Sequence, residues 1–394
     1  MTIEAIQILR DMIAIPSVNP MRAGSDMQVE RELVGYVETT LRRAGIDCER
    51  QRVAEGRENI VAVIHASPGR DGNDGLMLNS HLDTVPVENM SIDPFDPVVR
   101  DGRVYGRGAC DAKGSIAAMI AALIAHANSP ERPAPIVFAA LADEEFSFSG
   151  SWKLIESDWP VKACVVGEPT KLASIIAHKG VARWLMNVTG ISAHGAMPQA
   201  GHSAIYDGAR VALALETYAQ QLARRPPHPL LGPSTFNVGR VAGGSAVNIV
   251  PDSCEFEVEQ RLLPGEDGRK AVRDCEEWVR QRVGGEIHLV VTEPYLVDPA
   301  LNTPREALVV RAVGEAHLSE FGNPSAIEGA HYGTDGSKLA RAGIETVVCG
   351  PGDIAQAHTC DEFIEIEQVK KAVRLYGRLI ARWPFSSEPV GKTV

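Results

Sequence analysis

Five short stretches of this chain hold an acid or a histidine in an apolar, glycine-punctuated setting. They are His81-Leu82-Asp83, Asp111 in GRGACDAKG, Glu144-Glu145 in ALADEEFS, Glu168 in VVGEPT and His358 in QAHTCDEF. Together they supply two imidazoles and at least three carboxylates. That donor set suits two borderline-hard divalent ions, zinc first, sharing a bridging carboxylate. A metal pair about 3.5–4 Å apart lowers the pKa of a water toward neutrality and polarises a carbonyl. A carboxylate must then take the proton from that water and pass it to the leaving group. Adjacent Glu144 and Glu145 at a strand end point in different directions, so one can ligate while the other faces a substrate. The chemistry implied is two-metal hydrolysis.

Each stretch alone has a plainer explanation. An Asp-Glu-Glu run is commonly a helix N-terminus, where acids suit the macrodipole. A single histidine before a turn is commonly structural, and GEPT reads as a turn. Five such stretches in one chain make the joint site the better account.

At 394 residues the chain exceeds what one hydrophobic core usually supports, so two domains are expected. Its 44% hydrophobic and 23% charged residues are those of an ordinary globular protein. The net charge of −12 argues against binding to nucleic acid or to an anionic membrane. No apolar run reaches the roughly 18 residues needed to span a bilayer. The start, MTIEAIQILRDMIAIPSVNP, is an amphipathic helix before a proline and lacks the features of a secretory signal. Seven scattered cysteines without a CxxC pair fit a reducing compartment, and the cytoplasm is the expectation. Cys110 and Cys360 lie near the candidate ligands, but acids are the better donors there. Cys164 and Cys349 sit in apolar runs and belong to the core.

Elements must position these residues. Helical periodicity covers 3–14 and 27–44, followed by strand-like runs at 48–53, 59–64 and 75–80. The nearly all-apolar helix 113–127 must be buried between layers. Strand 135–141 ends at the acidic pair, and after a helix at 150–157 strand 163–167 ends at Glu168. Polar residues at strand C-termini describe an α/β sheet with its site along the carboxyl edge. From about residue 179 the pattern becomes β-α-β-β-α-β, with helices near 203–223 and 267–283 and HLVVTEPYLV closing it. That is the order of a ferredoxin-like α+β domain, whose one-sided alternation leaves a face for solvent or a partner. The α/β pattern resumes with helix 304–318, a Gly-rich loop at 333–336, strand ETVVCG and helix 367–382. The expected organisation is a metal-binding α/β domain, 1–178 and 296–394, with a mixed sheet flanked by helices. A lid and dimerisation domain, 179–295, is inserted into it.

HLDTVP, GRGACDAKG, DEE, GEPT and the late AH-x-x-DE occur in the order seen in the co-catalytic zinc peptidase and deacylase family. The chain resembles that family along essentially its whole length, most closely the acetylornithine deacetylase and desuccinylase branch. The resemblance implies two divalent ions, zinc first, with cobalt or manganese as alternatives. His81 and Glu168 would bind one ion, His358 and Glu145 the other, and Asp111 would bridge them. Asp83 would orient His81 by accepting its free ring N–H. Glu144 would be the general base for attack by a metal-bound hydroxide. Glu at position 168, where the peptidases of the family have Asp, points to an N-acyl L-amino acid as the small-molecule substrate.

The resemblance further implies that His194, in SAHGAMP, stabilises the oxyanion in a neighbouring subunit of a homodimer formed through the lid. Asn248 and Arg261 would contact polar groups of the substrate, Arg261 as a fork for its carboxylate. Gly333, Thr334 and Asp335, in YGTDGS, would form a nest near the substrate. Asp335 stands where acetylornithine deacetylases more often have Glu. A succinyl-diaminopimelate desuccinylase, a dipeptidase or carboxypeptidase, and a C–N hydrolase that releases ammonia are the alternatives.

Overall fold

A computed structural model of the chain describes residues 2–21, 29–67, 74–129 and 132–384. Residues 27 and 28, where helical periodicity begins in the sequence, lie outside the described residues; the helix there is Arg31–Arg43. The chain forms two compact units. One is Met1–Ile176 with Thr303–Glu328 and Thr334–Val394; the other is Ala177–Asn302 with Gly329–Gly333.

In the first unit, strand Gly75–His81 is buried at every position, as expected of a strand covered on both faces. It pairs in parallel with Ile136–Leu141 and Val161–Val166, and the latter pairs in parallel with Glu345–Val348. Antiparallel strands flank this parallel centre. Arg57–Ile64 joins Ile136–Leu141, and Cys48–Ala54 folds back on it as a hairpin. On the other side Ser174–His178 runs antiparallel to Glu345–Val348. The sheet is therefore mixed, as the sequence predicts. Parallel strands need crossovers, and the crossover helices supply its cover. Helix Gly114–His126 is buried along nearly its whole length and packs on helices Thr2–Ile13 and Ile366–Arg382. Among the described residues, Ala109–His126 is the one stretch long and apolar enough to cross a membrane. Since 83% of it is buried inside the fold, it is a core element.

The second unit is an antiparallel sheet with strands in the order Thr235–Gly243, Ser253–Leu262, Gly180–Thr189, His288–Val291. Ser253–Leu262 alternates strictly, and its inward residues pack with Trp184, Tyr218 and Val279 into a separate core. Helices Ala204–Ala223 and Gly268–Val283 contribute their apolar faces to that core. The β-α-β-β-α-β order expected from sequence is present. HLVVTEPYLV is not one strand, however. It breaks into His288–Val291 and Leu296–Asp298, both paired with Gly180–Thr189. Pro294 lies in the break and has no N–H to give a ladder.

Other differences are local. The helix expected from 304 begins at Leu308, after a turn that follows Pro304. A small sheet of Val99–Arg100, Arg103–Tyr105 and Phe363–Glu365 was not legible, since two- and three-residue strands carry no readable alternation.

A buried polar network underlies the carboxyl edge. Asn19 Nδ2 donates to Asp83 Oδ2 at 2.8 Å and to Asp143 Oδ1 at 2.9 Å. Asp143 also accepts from the Ser147 and Ser149 hydroxyls and pairs with Arg57. The Arg57 guanidinium lies 3.3 Å from Glu30, whose buried oxygens form no hydrogen bond. Burial pushes the Glu30 carboxyl up to about 8, with Asp83 adding to the shift and Arg57 opposing it.

Two predictions follow from this packing. Between its ordinary value of 4.5 and about 8, folded Glu30 keeps a proton that the unfolded chain has released, so stability falls as pH rises through that window. Glu30→Gln should therefore gain Tm relative to the parent between about pH 5 and about pH 9. A difference that stays flat or shrinks across that range refutes the assignment. Phe138, without solvent exposure in a central strand, should cost ~3–5 kcal/mol when changed to Ala, read from urea unfolding.

Candidate metal centre

The sheet places its acids and imidazoles at strand ends. His81 closes Gly75–His81, Glu144 and Glu145 follow Ile136–Leu141, and Glu168 follows Val161–Val166. Asp111 comes from the irregular turn Ala109–Lys113 that enters the apolar core helix. His358, on a loop after the short helical turn Ile354–Gln356, has a positive φ of 62°.

These side chains converge on Asp111. Its Oδ1 lies 3.1 Å from His81 Nε2, and its Oδ2 lies 3.4 Å from His358 Nε2. Glu168 Oε2 stands 3.8 Å from His81 Nε2, and Glu145 Oε2 stands 3.3 Å from His358 Nε2. Ligand atoms of His81, Asp111 and Glu145 all fall within 4.8 Å of one another. Glu144 is buried beside them without an ion pair to either imidazole. The five residues expected to ligate are thus gathered in one place.

The electrostatics describe a site short of positive charge. Burial pushes Glu168 up to about 8 against the pull of His81. Burial also raises Glu145, with Asp111 adding to it, and lifts Glu144 well above its ordinary range, with Glu168, Asp335 and Glu145 contributing. Asp111 goes the other way. Burial would raise it, but hydrogen bonds to His358 and His81 hold it below the usual carboxylate range. Burial would lower His81, yet Glu168, Asp111 and Asp83 keep it well above its ordinary value. Hydrogen bonds to Asp111 and Glu145 hold His358 at about 10. Glu145 Oε1 and Glu168 Oε1 are buried without a hydrogen-bond partner. Free carboxylate oxygens and imidazole nitrogens turned on one point are the donors that divalent ions of the zinc type require.

Asp83 departs from its expected geometry. The His81 ring donates from Nδ1 to the Asp83 carbonyl oxygen at 2.9 Å, while the carboxylate Oδ1 lies at 3.7 Å, beyond hydrogen-bond range. The carboxylate instead accepts the backbone N–H groups of Glu144 at 3.0 Å and Glu145 at 3.1 Å. Asp83 therefore fixes the acidic pair as well as the imidazole. Asn19, which donates to Asp83, and Glu362, which accepts the Asp111 N–H at 3.0 Å, were missed from sequence. Glu362 stands in the DEF motif, but nothing local distinguishes its inward side chain from that of exposed Asp361.

The loop 333–336 turns inward. Thr334 and Asp335 are each 1% exposed. The Thr334 hydroxyl accepts the Gly336 N–H at 3.1 Å, at the start of helix Gly336–Arg341. Burial pushes Asp335 up to about 6, opposed by Lys338 and His81. In the second unit, His194 and Asn248 lie together where Ala193–His194 pairs with Ile249–Val250. Both are exposed, and the Gly195 N–H donates to the Asn248 carbonyl at 2.8 Å. Arg261, near the end of Ser253–Leu262, donates from Nε to Glu259 at 2.7 Å. Gly333 is half-buried in the same unit.

The model of peptidase family M20/M25/M40 matches residues 77–382. An acetylornithine deacetylase of Myxococcus xanthus is 34% identical over 360 residues, which is 89% of this chain and 92% of the relative. A tripeptidase from Staphylococcus aureus subsp. aureus mu50 has a TM-score of 0.78 at 21% identity, covering 96% of this chain and 98% of its own. A dinuclear metal binding peptidase of the M20 family from Bacillus subtilis has a TM-score of 0.71 at 17% identity, covering 96% of this chain and 97% of its own. At such identities the structural likenesses establish the fold alone. The family match spans well over half of the sequence, and the chain therefore belongs to the M20/M25/M40 peptidases, metallohydrolases of amide bonds.

Proposed function

We propose that this enzyme hydrolyses the amide bond of an N-acyl L-amino acid with two bound divalent cations, N-acetylornithine being the leading substrate. The observation that carries the reading is Asp111 shared between His81 and His358, with Glu144 beside them and paired to neither imidazole. The relatives named acetylornithine deacetylase support the acyl-amino-acid class. So does Glu rather than Asp at position 168, as in the deacylase branch that the chain resembles.

His81 and Glu168 would hold one cation, His358 and Glu145 the other, and Asp111 both. Zinc fits this donor set first, with cobalt or manganese as alternatives. When bound, the cations polarise the scissile carbonyl and acidify a water. Glu144 takes the proton from that water and delivers it to the leaving amine. Asp83, holding the Glu144 and Glu145 amides, keeps the base and the ligand pointing apart. His194 donates to the developing oxyanion. Arg261 spends only its Nε on Glu259, which leaves its terminal nitrogens for a substrate carboxylate. Asn248, Gly333 and Thr334 supply further polar contacts, and buried Asp335 adds to the burial and the Glu168 charge that raise Glu144.

A homodimer through the second unit is part of the proposal. Strand Thr235–Gly243 is a largely exposed sheet edge, and Ile191, Met197, Tyr206 and Val247 are exposed apolar side chains in the same unit. Unpaired edges and apolar patches are surfaces that partners cover. A cytoplasmic setting is supported by seven free cysteines.

The test is amine release from N-acetyl, N-succinyl and N-aroyl amino acids and from dipeptides, with zinc- or cobalt-loaded protein beside a chelated control. Release from one acyl class that disappears on chelation is the expected result. Cleavage of dipeptides alone, or silence across the panel with two ions bound per chain, overturns the substrate assignment. Glu144→Gln should lower kcat by about 10²–10⁴-fold while leaving metal content unchanged. Mixing inactive His194→Ala and Glu144→Gln chains should restore part of the activity if His194 serves a neighbouring subunit; no recovery rejects sharing.

A further inference from the structure

The loop that carries His358 also carries Glu362, and that side chain has no solvent exposure. Its Oε1 accepts the N–H groups of Cys110 at 2.8 Å and Asp111 at 3.0 Å. Its Oε2 accepts the Gly108 N–H at 3.0 Å and the Arg107 guanidinium at 2.8 Å. The Glu362 carbonyl in turn accepts the Gly106 N–H at 3.0 Å. From the next residue onward, Phe363–Glu365 pairs with Arg103–Tyr105. One buried carboxylate thus ties the turn bearing Asp111 to the loop bearing His358.

The two halves of the centre are held differently. His81 closes a central strand and Glu168 follows another, so their spacing is set by the sheet ladder. His358 stands on a loop, with its side chain 55% exposed. Downstream, the Cys360 carbonyl accepts the Ser91 N–H at 2.8 Å at the exposed surface, and the first buried anchor is Glu362. Asp111, which faces both imidazoles, is gripped at its amide by that same carboxylate.

We infer that Glu362 is a positioning residue that sets the separation between Asp111 and His358, and so governs the cation position made by His358 and Glu145. The inference rests on the two-cation reading above. A carboxylate suits the position because all four groups facing it are donors. Glutamine would turn its NH₂ toward one pair of them, leaving donor against donor in a buried place. Groups that orient metal ligands typically cost 10–100-fold in metal affinity when removed. The loss should fall more heavily on that position, because the sheet fixes two of the three groups, His81 and Glu168, that would hold the other cation.

The experiment titrates metal-free parent, Glu362→Gln and Glu362→Asp with zinc or cobalt against a chromophoric chelator. Circular dichroism and the Tm of the metal-free forms report folding. The shorter Asp keeps the charge but cannot reach both pairs of donors. The parent should bind two ions. In each variant one ion should bind about 10–100-fold more weakly than in the parent and the other should lose clearly less, with an altered cobalt absorption spectrum. A variant that melts lower yet binds both ions with parental affinity overturns the inference and makes Glu362 a stability residue. Loss of fold in both variants does the same. Failure of the two-cation reading would show separately, as a parent that binds fewer than two ions, and would overturn both.

Discussion

A single carboxylate, Asp111, lies 3.1 Å from one imidazole and 3.4 Å from another, and the rest of the first unit is arranged around that contact. Burying a charge costs several kcal/mol unless opposite charge and hydrogen bonds compensate it. Asp111 has the two imidazoles for both, while Glu362 accepts its backbone N–H and fixes its place. The acidic pair is treated alike: Asp83 receives the amides of both Glu144 and Glu145, and Asn19 holds Asp83. Backbone N–H groups donated to buried carboxylates fix ligand loops that side-chain packing alone would leave loose.

The same crowding places repulsion at the centre of the fold. Glu144, Glu145, Glu168 and Asp335 are all raised by burial and by neighbouring carboxylates, Asp111 and Asp83 among them. Protonated imidazoles relieve part of that repulsion, and bound cations would relieve more. The first unit can carry such a site because what surrounds it is apolar and closely packed. Strands Gly75–His81 and Ile136–Leu141 are buried throughout, and helix Gly114–His126 lies between layers. An acid cluster of this kind lowers stability locally and is maintained by the scaffold around it.

The second unit obeys simpler rules. Its strands alternate, its helices are amphipathic, and its inward residues make a core of their own around Trp184 and Phe256. The chain can enter and leave such an insertion with little rearrangement, because Ser174–His178 and Leu301–Asn302, the strands at its two ends, lie side by side. Long insertions between adjacent ends carry a small entropic cost.

Element types were legible where a period extends over enough residues: the all-apolar helix, the buried central strands and the alternating strand Ser253–Leu262. Strands of two or three residues were not, because pairing rather than pattern makes them strands. The ligand types at the centre were also legible, since each stands at the end of a local element and its chemistry belongs to the side chain itself. Which groups could bind metal and move protons can therefore be read from residue types and their spacing alone. How they are held emerges only on folding: the Asp83 carboxylate grips amides rather than the His81 ring, and Glu362 rather than Asp361 turns inward. Glu362 and Asp111 are 251 residues apart, and no local pattern records a hydrogen bond whose donor and acceptor meet only once the sheet has formed.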